Sequence, residues 1–260
     1  MDDAGTIGGV GKKKGGAEHM ERNGAALFAG AEDTMIRACV SGTMGKIYTN
    51  RAADPTAAQA VLGDFCFFAG EPSIAFAKTA AAEIITPMTE TWSRAIEAAW
   101  GAGVRRGERY ALKKEPNVFD KAKLLRMADS AEPVYTFCMF DEHLAEIALG
   151  QPWSQDFLSL FENTKDYMKR GLGIAALFRG ELVAGASSYA VFPGGIEVEI
   201  DTRPDHRRHG LATACAARLI LACLSRGLYP SWDAANLTSL RLAERLGYRF
   251  DRCYPVYFKQ

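Results

Sequence analysis

Residues 203–215 read RPDHRRHGLATAC: three arginines and two histidines within seven residues, then a glycine, then an alanine-rich run. Composition alone makes this a solvated loop. The neighbouring segments argue for more. Upstream, LGIAALFRGELVAGASSYAVFPGGIEVEIDT (172–202) holds three apolar runs parted by Arg179-Gly180-Glu181 and Pro193-Gly194-Gly195, the pattern of an antiparallel meander. Downstream, 208–226 is long and apolar enough for a helix. A helix N-terminus presents unpaired N–H groups and a partial positive charge, which suits a phosphate. Gly210 and Ala212 are small enough to admit one, and Arg207 or Arg208 can add charge-assisted hydrogen bonds. Strand, basic loop and helix predict an anion cradle over 207–213.

The cradle must act locally, because 31 basic side chains face 31 acidic ones across 260 residues. A net charge of zero argues against a nucleic-acid or anionic-membrane binder, both of which need a standing positive field. Six cysteines (Cys39, Cys66, Cys138, Cys215, Cys223, Cys253) are scattered, without metal-ligand spacing. They predict reduced, buried thiols in a cytoplasmic protein without a bound metal. No run approaches the ~20 apolar residues of a membrane span. Residues 1–19, with six glycines and three consecutive lysines, predict a flexible tail. The His19-Met20 junction reads as a cloning scar, with Met20 as the natural start.

Pro133 interrupts the pattern near 128–133, which predicts an amino-terminal domain over 20–130 and a second over 131–260. In the first, a helix over 31–45 precedes a strand in GKIYTN and an apolar run over 58–73. Helices are predicted over 73–82 and 87–100, where Trp92, Ile96 and Trp100 recur four apart. A strand at 108–113 and a charged helix at 119–130 follow. The second domain opens with a strand in EPVYTFCMF and helices near 141–149 and 154–170. After the meander come helix 208–226, the short run LYPSW, helix 236–246 and a closing strand in YRFDRCYPVYF. The fold class is mixed α/β. The first half shows no phosphate loop or nucleophile, and reads as a supporting or specificity domain.

The spacing Arg207-x-x-Gly210-x-Ala212 at the head of a helix, with Asn236-x-x-Ser239 and AERLGY (243–248) some 24 residues on, resembles the GCN5-related N-acetyltransferases (GNAT). The segments at 63–72, 199–214 and 228–248 resemble, more narrowly, zwittermicin A resistance acetyltransferases. The resemblance implies a mostly antiparallel, splayed sheet flanked by helices, with an amino-terminal unit that is a degenerate copy of the same fold. It implies acetyl-CoA as cofactor, its pantetheine pairing with the backbone of Ile200 and Thr202. Arg207, Arg208, His209, Gly210, Leu211, Ala212 and Thr213 would hold the pyrophosphate, with Asn236 and Ser239 completing the cofactor site.

An attacking amine must first lose its proton, so a general base is useful. Glu197, Glu199 and Asp201 alternate along one strand and share a face. They form either its wet side or a carboxylate group that attracts a cation and raises one member's pKa. Glu197 lies nearest the family's base position, and a strand bulge would exchange it with Glu199. Where many members carry an acidic Tyr, seven residues after the Asn, this chain has Ala243; Tyr254 and Tyr257 are the alternative acids. Asp233 either orients the amine or caps the helix near Asn236. The expected activity is acetyl transfer to a small-molecule amine, such as an antibiotic or metabolite, by a monomer or homodimer. A non-catalytic acyl-CoA-binding protein and a protein or peptide acetyltransferase are the alternatives.

Overall fold

The computed structural model describes residues 24–260; the predicted tail of 1–19 lies outside the described residues. The first half runs α1 (Thr34–Val40), β1 (Lys46–Thr49), β2 (Ala57–Leu62), β3 (Phe65–Gly70), α2 (Ile74–Ala77), β4 (Ile84–Pro87), α3 (Glu90–Trp100), β5 (Val104–Leu112) and α4 (Lys121–Ala128). The second runs β6 (Tyr135–Met139), α5 (Glu142–Leu149), α6 (Thr164–Arg170), β7 (Gly173–Phe178), β8 (Glu181–Phe192), β9 (Gly195–Thr202), α7 (Leu211–Ser225), β10 (Tyr229–Ser231), β11 (Asp233–Ala234), α8 (Leu237–Leu246) and β12 (Phe250–Lys259). The mixed α/β class and the meander β7–β8–β9 are present as expected.

Two sheets form, ordered β1-β2-β3-β4-β12-β5-β11 and β10-β9-β8-β7-β6. The pairs β3–β4 and β9–β10 are parallel and the rest antiparallel. β11 and β12, from beyond residue 131, complete the first-half sheet by covering both edges of β5. An open edge there would leave a row of unpaired N–H and C=O groups. One apolar cluster, including Ile36, Phe67, Ile196 and Leu219, runs through both halves. A second, with Cys66, Phe68, Trp92, Ile96 and Tyr257, fills the other face of the larger sheet.

Some local expectations fail for tertiary reasons. The helix predicted over 73–82 stops at Ala77 because the buried Gln59 amide claims the backbone beyond it: Nε2 donates to Thr79 O (3.0 Å) and Oε1 accepts from Ala81 N (3.0 Å). The chain freed by that stop becomes β4, which sequence periodicity did not suggest. The predicted 154–170 helix is a 3-10 turn at Gln155–Phe157 and then α6, started afresh by the Asn163 cap on Asp166 N (3.0 Å). Cys138 and Cys253 are exposed, whereas the other four thiols are buried.

The feature that makes a site is a parting of strands. β10 pairs β9 only through Tyr229–Gly195, Pro230–Ile196 and Ser231–Glu197. At Trp232 the chain leaves that sheet, and β11 joins β5 through Asp233–Ala111 and Ala234–Tyr110. Residues 198–202 continue with no described strand beside them on that side, and a groove opens.

Candidate active site

The outer part of the groove is a cleft of about 810 Å3. It is lined by Ile200 and Thr202 of β9, by Arg207, Arg208, Gly210, Leu211, Ala212 and Thr213 at the head of α7, and by Asn236 and Ser239. The described α-helices other than α7 each have an N-cap side chain bonded to the first turn, from Asp33, Ser73, Thr89, Asp120, Asp141, Asn163 or Asn236. Gly210, the N-cap of α7, has no side chain to offer. Among the described residues the first N–H groups of α7 receive no side-chain cap and lie at the cleft, the arrangement that accepts an anion. Gly210 is required for its backbone, with φ +78 in the left-handed region. Space is not the constraint, since a Cβ there would meet only Ser130 O at 4.0 Å.

Arg207 is fixed by Nε donating to Thr202 O (3.0 Å), and Arg208 turns through φ +71 to reach the same cleft. His209 departs from the expectation. Its ring turns out of the cleft to Glu132 (3.0 Å) and packs beside Tyr135. Sequence reasoning missed His206, Thr238, Leu242 and Arg245 in the lining. The last three recur at helical spacing on one face of α8, the signal that would have found them.

Inward, the cleft continues into a cavity of about 300 Å3 through Ile200, Trp232, Asn236 and Ser239, which line both. The Trp232 indole donates to Ser239 Oγ (3.1 Å), and Asn236 Oδ1 accepts from Ser239 N (2.9 Å). The cavity holds Asp64, Asp156, Glu197, Glu199 and Asp233 against one cation, Arg109. Asp64, Asp156 and Arg109 belong to distant segments and carry no motif. Asp201, predicted on the same face, lines the outer cleft instead, 3.5 Å from Arg207.

The two glutamates differ in commitment. Glu197 is 4% exposed and accepts from the Thr34 hydroxyl, which also meets Ser231 Oγ (2.9 Å); Lys114 Nζ donates to that Ser231 oxygen (2.8 Å). Glu199 is half-buried without a salt-bridge partner among the described residues. Burial, then Asp156 and Asp201, push its carboxyl up to about 8, with Arg109 opposing. The predicted bulge lies opposite, in β8, where the register shifts between Ser188 and Ala190. It sets Tyr189 at the cavity, its hydroxyl accepting from Asp64 N (3.3 Å).

Asp233 is held at one oxygen by Arg109 Nε (2.6 Å) and at the other by the Tyr254 hydroxyl (2.8 Å). Burial raises its pKa and Arg109 pulls it back. Asn236 makes the cap considered for Asp233. Neither candidate tyrosine lines the groove. Tyr254 donates to Asp233, and burial raises its pKa well above the ordinary value. Tyr257, 1% exposed in the second core, donates to Glu97 (2.6 Å). Ala243 is fully buried.

A family model described as GNAT acetyltransferase matches residues 25–257, across both halves. A GCN5-related N-acetyltransferase-like protein from Streptococcus suis 89/1591 is 42% identical, with a TM-score of 0.89 over 94% of this chain and 100% of that one. A GCN5-related N-acetyltransferase from Kribbella flavida shares the fold at 16% identity, with a TM-score of 0.55 over 90% and 95% of the two chains. In sequence, an uncharacterised N-acetyltransferase of Bacillus subtilis (strain 168), YdfB, is 30% identical over 100 residues, a match spanning 38% of each chain. With a family model matched from residue 25 to residue 257 and the uncapped helix at the head of a parted sheet, this chain belongs to the GNAT acetyltransferases.

Proposed function

We propose that the protein transfers an acetyl group from acetyl-CoA to a primary amine of a small molecule. The observation carrying this reading is the continuity of a basic, uncapped-helix cleft with an acidic cavity holding an unpaired Glu199. Coenzyme A fits the cleft: the free N–H groups of α7 with Arg207 and Arg208 suit its pyrophosphate, and the unpaired edge at Ile200 and Thr202 suits its pantetheine amides. Bound there, it supplies an activated acetyl thioester.

The chain's residues account for the rest. Five carboxyls in a small cavity draw in a cationic amine. Glu199 takes the proton that must leave before the nitrogen has a lone pair, and its raised pKa suits a base working near neutrality. Glu197, tied to Thr34, shapes and charges the wall. Arg109 fixes Asp233, which orients the amine. Ser239, at the junction of cleft and cavity, is the hydroxyl available to the departing thiolate in place of Tyr254 and Tyr257.

The finer resemblance, to zwittermicin A resistance acetyltransferases, supports an amine-bearing antibiotic or metabolite as the acceptor class; the free thiols support a cytoplasmic setting, and the first half serves as a supporting or specificity domain. Ala243 favours a second reading, an acyl-CoA-binding protein without turnover. A thiol-release assay over an amine panel separates the two. Turnover with at least one amine is expected, whereas tight coenzyme A binding with no turnover would replace the first reading by the second.

A further inference from the structure

Lys114 lies just beyond β5, in the first half, yet it reaches the point where β10 and β11 part. Its Nζ donates to Ser231 Oγ (2.8 Å), on the last residue of β10, and to Trp232 O (3.4 Å), where the chain leaves that sheet. Ser231 Oγ meets Thr34 Oγ1 (2.9 Å), and Thr34 Oγ1 donates to Glu197 Oε2. Thr34, Ser231 and Glu197 are all buried. A line of polar groups therefore runs through the interior from an ammonium of the first half to a carboxylate of the acidic cavity.

Each hydroxyl owns one proton, and counting protons fixes the direction of the line. Thr34 gives its proton to Glu197, so Ser231 must donate to Thr34, and the Ser231 oxygen accepts from Lys114. Every bond points from ammonium to carboxylate. Were Glu197 to bind a proton at Oε2, Thr34 would turn its own toward Ser231. Ser231 Oγ would then accept from both Thr34 and Lys114, and its proton would have no acceptor among the described residues. For a serine that is 0% exposed, that unmet donor is costly. The charge on Lys114 thus works against protonation of Glu197.

A buried carboxylate needs a counter-charge. Glu197 has no salt bridge among the described residues. The other titratable groups around it are Asp33, Glu199, Asp233, Tyr229 and Tyr248, none of them a cation, and Arg109 is held by Asp233. Lys114 supplies the charge across two hydroxyls. Glu197 lines the acidic cavity, with Oε2 taken by Thr34 and no partner for Oε1 among the described residues. We infer that Lys114 is a positioning residue for the acceptor: through Ser231 and Thr34 it keeps the proton off Glu197, whose Oε1 then receives the cationic amine. The ammonium meets Glu197 and gives one proton to Glu199, which leaves a neutral nitrogen. That last step rests on the acetyl-transfer reading; the hold of Lys114 on Glu197 does not.

Titration calorimetry on the full chain, saturated with coenzyme A, compares n-hexylamine, a cation near neutral pH, with 1-hexanol, its uncharged counterpart. Lys114→Met removes the charge and keeps the reach of the side chain. Thr34→Val breaks the line without touching the Trp232 contact, and Thr34→Ser keeps the hydroxyl. The wild type should prefer the amine. Lys114→Met and Thr34→Val should each weaken amine binding by about tenfold, the size of one charge-assisted hydrogen bond, with hexanol binding unchanged. Thr34→Ser should keep the wild-type preference. With an amine that turns over, KM should rise in the two weakened variants while kcat holds. No preference for the amine in the wild type, wild-type amine affinity in Lys114→Met, or an equal loss for amine and alcohol would each overturn the inference; in the last case Lys114 only pins the parting of the strands. Because binding is read directly, absence of turnover beside a Lys114-dependent preference would discard the acetyl-transfer reading and leave the role of Lys114 standing.

Discussion

The two halves repeat one order of elements and put it to opposite uses. In the first, β3, α2, β4, α3 and β5 follow one another; in the second, β9, α7, β10 with β11, α8 and β12. Each has a parallel pair around its first helix and an N-capped second helix. Counting from the N-caps Thr89 and Asn236, Trp92 stands where Ser239 does, Thr86 where Asp233 does, and, through the strand registers, Phe67 where Glu199 does. The first helix is Ile74–Ala77, capped by Ser73, against Leu211–Ser225 headed by Gly210. The Trp92 indole donates to Gly70 O (3.0 Å) and closes the strand end that the second half leaves open. A groove and a core thus differ here by a few side chains: a cap, an indole and a carboxylate.

Variants can break or sharpen that contrast. The largest effect is expected at Glu199, whose counterpart is a phenylalanine. Glu199→Gln should lower kcat/KM for the amine by ~10²–10⁴-fold with coenzyme A affinity intact, the range of general-base catalysis. In the wild type kcat/KM should climb as pH passes about 8 and Glu199 loses its proton, whereas the variant should recover only at higher pH, as free amine accumulates. Stability follows the same titration. The folded carboxyl titrates near 8 and the unfolded one near about 4.3, so the native state holds the proton more tightly between them. The stability Glu199 contributes is full below the lower value and lost as pH rises through the higher. Melting temperatures should favour Glu199→Gln above pH 8 and converge below about pH 4.

Trp92→Ala should cost about 3–5 kcal/mol in denaturant unfolding, because it empties a fully buried indole. Coenzyme A affinity should not change; a gain of a second coenzyme A site would show that the indole alone closes the first half. The converse, Ser239→Trp, should weaken coenzyme A binding roughly 100-fold, about 2.7 kcal/mol, by filling the junction of cleft and cavity. Wild-type affinity in calorimetry would detach Ser239 from the cofactor path. The smallest effects belong to the matched caps. Asn236→Ala and Thr89→Ala should each lower stability by about 1 kcal/mol, and a large inequality would mean that one cap also supports its groove.

Much of the basic cleft was legible because its parts are contiguous. Residues 199–213 carry strand, basic loop and helix in one stretch, and net neutrality left the charge cluster needing a local reason. Side chains depart from the expected placement where a neighbour far along the chain intervenes. His209 turns to Glu132, 77 positions away, and Tyr257 to Glu97, 160 away. The strand Ile84–Pro87 forms between the two expected helices 73–82 and 87–100, because Gln59 captures the backbone of Thr79 and Ala81.

The sequence by itself determined the meander, the long helix after the basic loop and the glycine at its head. Each depends on periodicity or on one residue's conformational freedom, which are local properties. Tertiary structure decided which carboxylate is free. Glu197 and Glu199 stand alike on one strand, and only Thr34, 163 residues away, separates the occupied one from its neighbour. It also brought Arg109, Asp64 and Asp156 to the cavity, and carried β11 and β12 across to close the edges of β5. A carboxylate's pKa and a strand's partner are set by what lies beside them in space, and the order of residues along one segment does not record it.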